Sequence, residues 1–187
     1  MSPDRPEVSR PEFSRPVAVG DIRARGGDYE IAADAQECAA LARRFAIVAV
    51  ESLSARLRLQ PIGGGPLVRL SGTLAADVVQ SCVVTLEPVA AHVEERVDMT
   101  FGPPGEAADE ADGEGGIDLS PDGDDPPDPF VGGAVDMGEA VAEQLALALD
   151  PFPRAEGVEF SPPAQAADVP EKASPFAILA RLRKKDA

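Results

Sequence analysis

The chain has no tryptophan, one tyrosine, one histidine and two cysteines in 187 residues, and aromatic residues make up only 4% of it. Each shortage removes a class of chemistry. A single imidazole, His92, excludes any site that needs two. Cys38 and Cys82 are too few for the disulfide framework of a secreted domain, so a reducing compartment is expected. Structural zinc normally takes four Cys or His ligands, and Cys38, Cys82 and His92 are all that one chain offers. A Ser-His-Asp triad is formally open, but no G-x-S-x-G turn is present to carry its serine. No apolar run reaches the ~20 residues of a membrane helix. The N-terminal residues, rich in Pro and charge, lack the apolar core of a secretory signal. A cytoplasmic protein is the expectation.

Bases are also missing from one place. The formal net charge is −16, yet Gly102 to Phe130 alone hold ten acids and no base. Without them the rest of the chain carries only −6, from 17 bases and 23 acids. The acidity is mostly one segment's property and does not forbid contact with an anionic partner elsewhere.

Proline and glycine, by contrast, are abundant, at 19 and 17 residues. That excess predicts long irregular segments beside a modest core. The length fits one ordinary domain with tails. We expect a disordered tail over residues 1–14 and a single domain over 15–160. A disordered acidic loop at 102–130 interrupts that domain, because Gly, Pro, Asp, Glu and Ala cannot bury enough apolar surface to offset ordering. A linker at 161–173 then leads to an amphipathic segment at 174–187. A calcium loop at Asp118 to Asp128 has the carboxylate density but not the ligand spacing or flanking helices.

The periodicities divide the domain into elements. Asp34 is a helix N-cap with Glu37 three residues on, and Cys38, Leu41 and Phe45 make one apolar stripe. Tyr29 to Ala32 reads as a short strand before it, and Phe13 to Val19 as a first extended segment. Strict alternation from Ser52 to Gln60 predicts a strand with one wet face. Pro61 to Pro66, with three glycines, is a turn; no Lys-Ser/Thr follows to make it a phosphate loop. A second strand from Leu67 puts Val68, Leu70, Leu74, Ala76 and Val78 on one face, and Gly72 suggests a bulge there. A third runs from His92 to Phe101, with Val93, Val97, Met99 and Phe101 on one face. A second helix starts at an Asp136 cap with Glu139 three residues on and buries Met137, Val141, Leu145, Ala148 and Leu149; Pro151 and Pro153 end it. The fold class is α+β: an antiparallel meander with helices packed on its apolar side.

Three pieces, in order, resemble the YceD family, the large ribosomal RNA subunit accumulation proteins. They are Gln80-Ser81-Cys82-Val83-Val84-Thr85-Leu86-Glu87-Pro88-Val89, the helix from Val135-Asp136-Met137 to Leu149-Asp150-Pro151, and the terminal Ser174-Pro175-Phe176-Ala177-Ile178-Leu179-Ala180-Arg181-Leu182. The acidic segment falls where that family has a variable acidic loop. Many members carry a C-x-x-C pair at the first piece. Here Cys82 matches its second cysteine and Val79 stands at the first, so no metal is expected.

The resemblance implies a non-catalytic cytoplasmic factor, without cofactor, that supports synthesis, processing or stability of large-subunit ribosomal RNA as an adaptor. Its partners would be that RNA or ribosome-assembly proteins, with no membrane and no DNA. Two other classes stay open: a protein-interaction module without RNA contact, and a metal-dependent hydrolase using the loop carboxylates. Candidate contact residues are Phe176, Leu179, Arg181, Arg183, Lys184 and Lys185 of the terminal segment, and Arg56 and Arg58 on the wet face of the first long strand. Against these stand ordinary helix-end charge and an ordinary charged strand face. No aromatic platform accompanies the arginines, so sequence-specific RNA reading is not expected.

Overall fold

The computed structural model describes residues 11–64, 66–103 and 127–159. The chain divides into two units, Met1–Gly157 and Val158–Ala187, and the elements below all belong to the first. Most of the expected N-terminal tail, most of the acidic loop, the linker and the terminal segment lie outside the described residues.

The element order is β1 (Pro16–Ala18), a single 3-10 turn, β2 (Gly27–Ala32), α1 (Ala35–Arg44), β3 (Ala49–Ile62), β4 (Leu67–Ser81), β5 (Pro88–Gly102), β6 (Asp128–Pro129), β7 (Ala134–Asp136) and α2 (Met137–Ala148). Five strands form one sheet in the order β2-β3-β4-β5-β6, and β1 pairs with β7 in a second, two-stranded sheet. Strands β2 to β5 are antiparallel neighbours, as the meander expectation requires.

Alternation builds the core. Leu53, Ala55, Leu57 and Leu59 of β3 face the same side as Leu70, Leu74, Ala76 and Val78 of β4, and all are buried. Helix α1 packs against β3, and α2 against β5 and β4. Leu41 of α1 and Val141 and Leu145 of α2 are fully buried in the same cluster. Burying each such side chain contributes roughly 1.5–3 kcal/mol.

Helix α1 starts as its sequence predicts. The Asp34 carboxylate accepts from the amides of Gln36 and Glu37 at 2.8 and 2.9 Å, and Glu37 accepts from the Asp34 amide at 2.8 Å. Arg43 and Arg44 occupy its last turn, where they suit the negative end of the helix. At α2 only half of that box forms. Asp136 caps the amides of Gly138 and Glu139, but the Glu139 side chain reaches across to Arg44 on α1 instead.

Three details depart from the sequence reading. The register irregularity lies between Val50 and Ser52, so Glu51 is the bulged residue and Gly72 is paired normally with Leu57. Gly72 is glycine for another reason: a Cβ there would collide with the Arg56 carbonyl. Order also begins before residue 15, because Phe13 is fully buried in the core. Ser14 and the Arg15 amide both donate to Asp136 at 2.6 Å, which ties this segment to the start of α2. Finally, the ends of the acidic segment are not irregular: Asp128–Pro129 form β6, parallel to β5, with Phe101 opposite Asp128 and Gly102 opposite Pro129. The Phe130 amide donates to the Gly102 carbonyl at 2.8 Å and closes that crossover.

Candidate functional site

The outer face of the sheet is charged, and its charges are matched across strands. Arg56 pairs with Glu30 at 3.0 Å and Arg58 with Asp28 at 2.7 Å, each from β3 to β2. Arg69 of β4 makes two contacts to Asp98 of β5, at 2.6 and 2.7 Å, and holds that carboxyl below its usual range. Arg96 also reaches Asp98 at 3.6 Å. A shallow depression of about 570 Å³ lies between the Arg56–Glu30 and Arg58–Asp28 pairs, with Ser71 and Gly72 in its floor. Arg56 and Arg58 therefore share one face, as the alternation requires, but each already has a carboxylate. Each pair offsets the charge that a phosphate would meet.

The same face brings Ser52, Asp77 and His92 together. Ser52 Oγ donates to Asp77 at 2.7 Å, and His92 Nδ1 lies 2.7 Å from the other Asp77 oxygen. His92 and then Ser52 hold the Asp77 carboxyl below its usual range. Nucleophilic catalysis needs the imidazole between serine and carboxylate, so that it can take the serine proton. Here the carboxylate stands in the middle, and the three groups are a surface hydrogen-bonded cluster.

Cys82 is where the structure adds most. It directly follows the last residue of β4 and is fully buried. Its own amide donates to the Glu87 carbonyl at 2.8 Å, and its carbonyl accepts from the Leu86 amide at 2.9 Å, which folds residues 82–87 into a tight turn. Its sulfur accepts from the amides of Thr85 and Ala155, both at 3.5 Å. Hydrogen bonding from the Thr85 side chain, and from the amides of Ala155, Thr85 and Val84, pulls the thiol down to about 6. Two further bonds join the turn to the segment after α2. The Val83 amide donates to the Pro153 carbonyl at 2.9 Å, and the buried Gln80 side chain donates to the Asp150 carbonyl at 2.9 Å.

Around this clasp apolar side chains stand in solvent among charged ones such as Glu87, Asp150 and Arg154. Val83, Leu86 and Phe152 are exposed, and Leu147 projects outward from α2. Leu86 also holds a φ of 62°, a region that non-glycine residues seldom occupy. The sequence marks Cys82 but gives no sign that Leu86 and Phe152 are left in solvent, because both sit within two residues of a proline in stretches without periodicity.

Cys38 lies on α1 and His92 on the outer face of β5, away from the Cys82 turn in the chain's topology. Among the described residues no three His, Cys, Asp or Glu side chains are gathered to hold a metal. Among them, too, no helix is long and apolar enough to cross a membrane. Phe176, Leu179, Arg181, Arg183, Lys184 and Lys185 lie outside the described residues.

A family model, described as large ribosomal RNA subunit accumulation protein YceD, matches residues 70–183. The match takes in β4, the Cys82 turn, β5, the acidic segment, α2 and the terminal Pro-Phe-Ala-Ile-Leu-Ala sequence. No curated protein and no solved structure matches the chain. The matched region is well over half of the sequence, and it contains the clasp between the Cys82 turn and the post-helix segment: the chain belongs to the YceD family.

Proposed function

We propose that this protein is a non-catalytic adaptor that supports the accumulation of large-subunit ribosomal RNA. Membership of the family supplies the process. The observation that carries the adaptor reading is the pairing of the sheet arginines. Arg56, Arg58 and Arg69 lie against carboxylates of neighbouring strands and Arg96 against Asp98 of its own strand, so acids offset the sheet arginines and no net cationic face is left for a phosphate backbone. Phosphate contact needs unpaired bases in number. A dense run of bases stands in the terminal sequence, at Arg181, Arg183, Lys184 and Lys185.

The division of labour follows. The sheet domain engages assembly proteins, and the terminal segment engages the precursor particle through Phe176 and Leu179 and through its bases. Arg56 and Arg58 serve the sheet surface first and phosphate second. Removing the protein from cells should lower large-subunit ribosomal RNA relative to small-subunit RNA. The full chain should restore the ratio, and a chain ending at residue 173 should not. Full restoration by the shortened chain would refute the role given to the terminal segment.

A further inference from the structure

Strand β5 is fifteen residues long, yet on its outer side it has a neighbour only at Phe101 and Gly102, where β6 pairs. From Val89 to Met99 its outer edge has no strand against it among the described residues. In an antiparallel strand alternate residues turn both their amide and their carbonyl outward, so this edge presents a row of backbone groups without a strand partner; of these residues, Arg96 has its amide held by the Glu95 carboxylate at 2.9 Å, a bond that an incoming strand would replace. Ala90, Ala91, His92, Glu94, Glu95 and Arg96 are all exposed along it. The opposite edge is less available: β2 has six residues, and Arg15 already donates to the carbonyl of Ala32 at its end.

We infer that the open edge of β5 is a docking edge for an extended, basic polypeptide segment, which adds to the sheet as a further strand. This rests on the adaptor reading and names the kind of partner that the sheet domain takes. Charge selects the occupant. Glu94 and Glu95 stand at mid-strand without an ion pair among the described residues. Glu95 is opposite Leu74, so it occupies the face that is otherwise apolar. A charge turned to that side excludes an ordinary apolar strand and suits one that brings Lys or Arg opposite it. A second copy of this chain pairing edge to edge would set these glutamates near their own counterparts, and repulsion disfavours it. The acid-rich sequence between Pro103 and Pro127 leaves and re-enters the sheet at the end of this same edge, which adds a field that draws in basic segments.

The test uses the full chain and an eight-residue peptide of alternating Lys and Val with blocked ends, followed by amide hydrogen exchange. Binding should slow every second amide between Val89 and Met99. The double variant Glu94→Lys with Glu95→Lys should keep its melting temperature and bind about tenfold more weakly, as expected for losing two favourable cross-strand pairs and gaining repulsion. A peptide of the same charge with every interior amide N-methylated should give no protection. Equal binding by the methylated peptide would mean attraction without strand addition and would overturn the inference. So would absence of protection at β5, equal binding by an alternating Glu-Val peptide, protection of the same amides by a 20-nucleotide oligouridine, or a β5-mediated homodimer. Peptide binding and association with precursor particles are read separately. Loss of the first alone strikes this edge, and loss of the second alone strikes the adaptor reading.

Discussion

The amide of Ala155 donates to the sulfur of Cys82, 73 residues earlier, and so pins the segment after α2 to the turn between β4 and β5. That bond joins the first piece of sequence that resembles the family to the segment just after the second. A single sulfur, accepting from two backbone amides, anchors the turn and holds the returning chain.

The first prediction concerns the protonation of that sulfur. Its folded-state value is about 6, against 9.0 for an ordinary thiol, because the Thr85 side chain and the nearby amides favour the anion. Folding therefore favours the thiolate. The contribution is fully present above about pH 9, declines as pH falls, and is lost below about 6. The stability gap between the native chain and Cys82→Ala in urea melts should be smallest near pH 6 and widen as pH rises to 8.5. Cys82→Ser, which keeps an acceptor but does not titrate, should show the same loss of pH dependence. Parallel curves for native and variant chains would mean that the sulfur stays a neutral thiol.

Gly138 gives a prediction whose sign opposes helix propensity. In a helix, alanine normally improves on glycine by about 1 kcal/mol. At Gly138 an added Cβ would press on the carbonyl and carbon of Phe13 and on the Arg15 amide, all backbone atoms that cannot swing aside. Gly138→Ala should destabilise the chain by roughly 1–3 kcal/mol, the usual range for overpacking. An unchanged or raised urea midpoint would show that the Phe13–Arg15 segment is not held against α2.

Both predictions involve contacts that the sequence does not advertise, and the reason is physical. Local spacing is legible: Asp34 and Glu37 are three residues apart, and their capping geometry follows from that alone. Alternation is legible too, and it placed Val68, Leu70, Leu74, Ala76 and Val78 on the buried face of β4. Contacts such as Ser14 to Asp136, across 122 positions, or Arg44 to Glu139, across 95, leave no trace in composition or period. The bulge at Glu51 was hidden because the clean alternation starts only at Ser52. Strand β6 is two residues long, too short for any pattern, and sits in a stretch of Pro and Asp. At the candidate site, the sequence located Arg56 and Arg58 on one face, but not the Glu30 and Asp28 that neutralise them from another strand.

The acidic segment supplies a third prediction. Its two ends already meet where β5 pairs with β6, so the domain does not need the intervening residues to close. Replacing residues 105–125 with a short Gly-Ser linker should change the melting temperature by no more than about 3 °C, which is about 1 kcal/mol for a domain of this size. A large fall would mean that the segment packs on the domain or binds an ion that stabilises it.

Zinc provides a fourth. Cys38, Cys82 and His92 are the only Cys and His residues in the chain, and they sit on three different elements. Elemental analysis of the dialysed protein should find no stoichiometric zinc. About one zinc per chain, retained through dialysis, would require ligands from a second chain or from carboxylates and would recast the role of Cys82.

The central claim is that the protein reaches large-subunit precursors through its terminal segment and not through the sheet arginines. Sedimentation of growing-cell extracts tests it most directly. The full chain and an Arg56→Ala, Arg58→Ala variant should travel with large-subunit precursor particles and be released as salt is raised. A chain ending at residue 173, with its sheet domain still folded, should remain at the top of the gradient. Retention of the shortened chain on the particles, with loss of the arginine variant, would contradict the account.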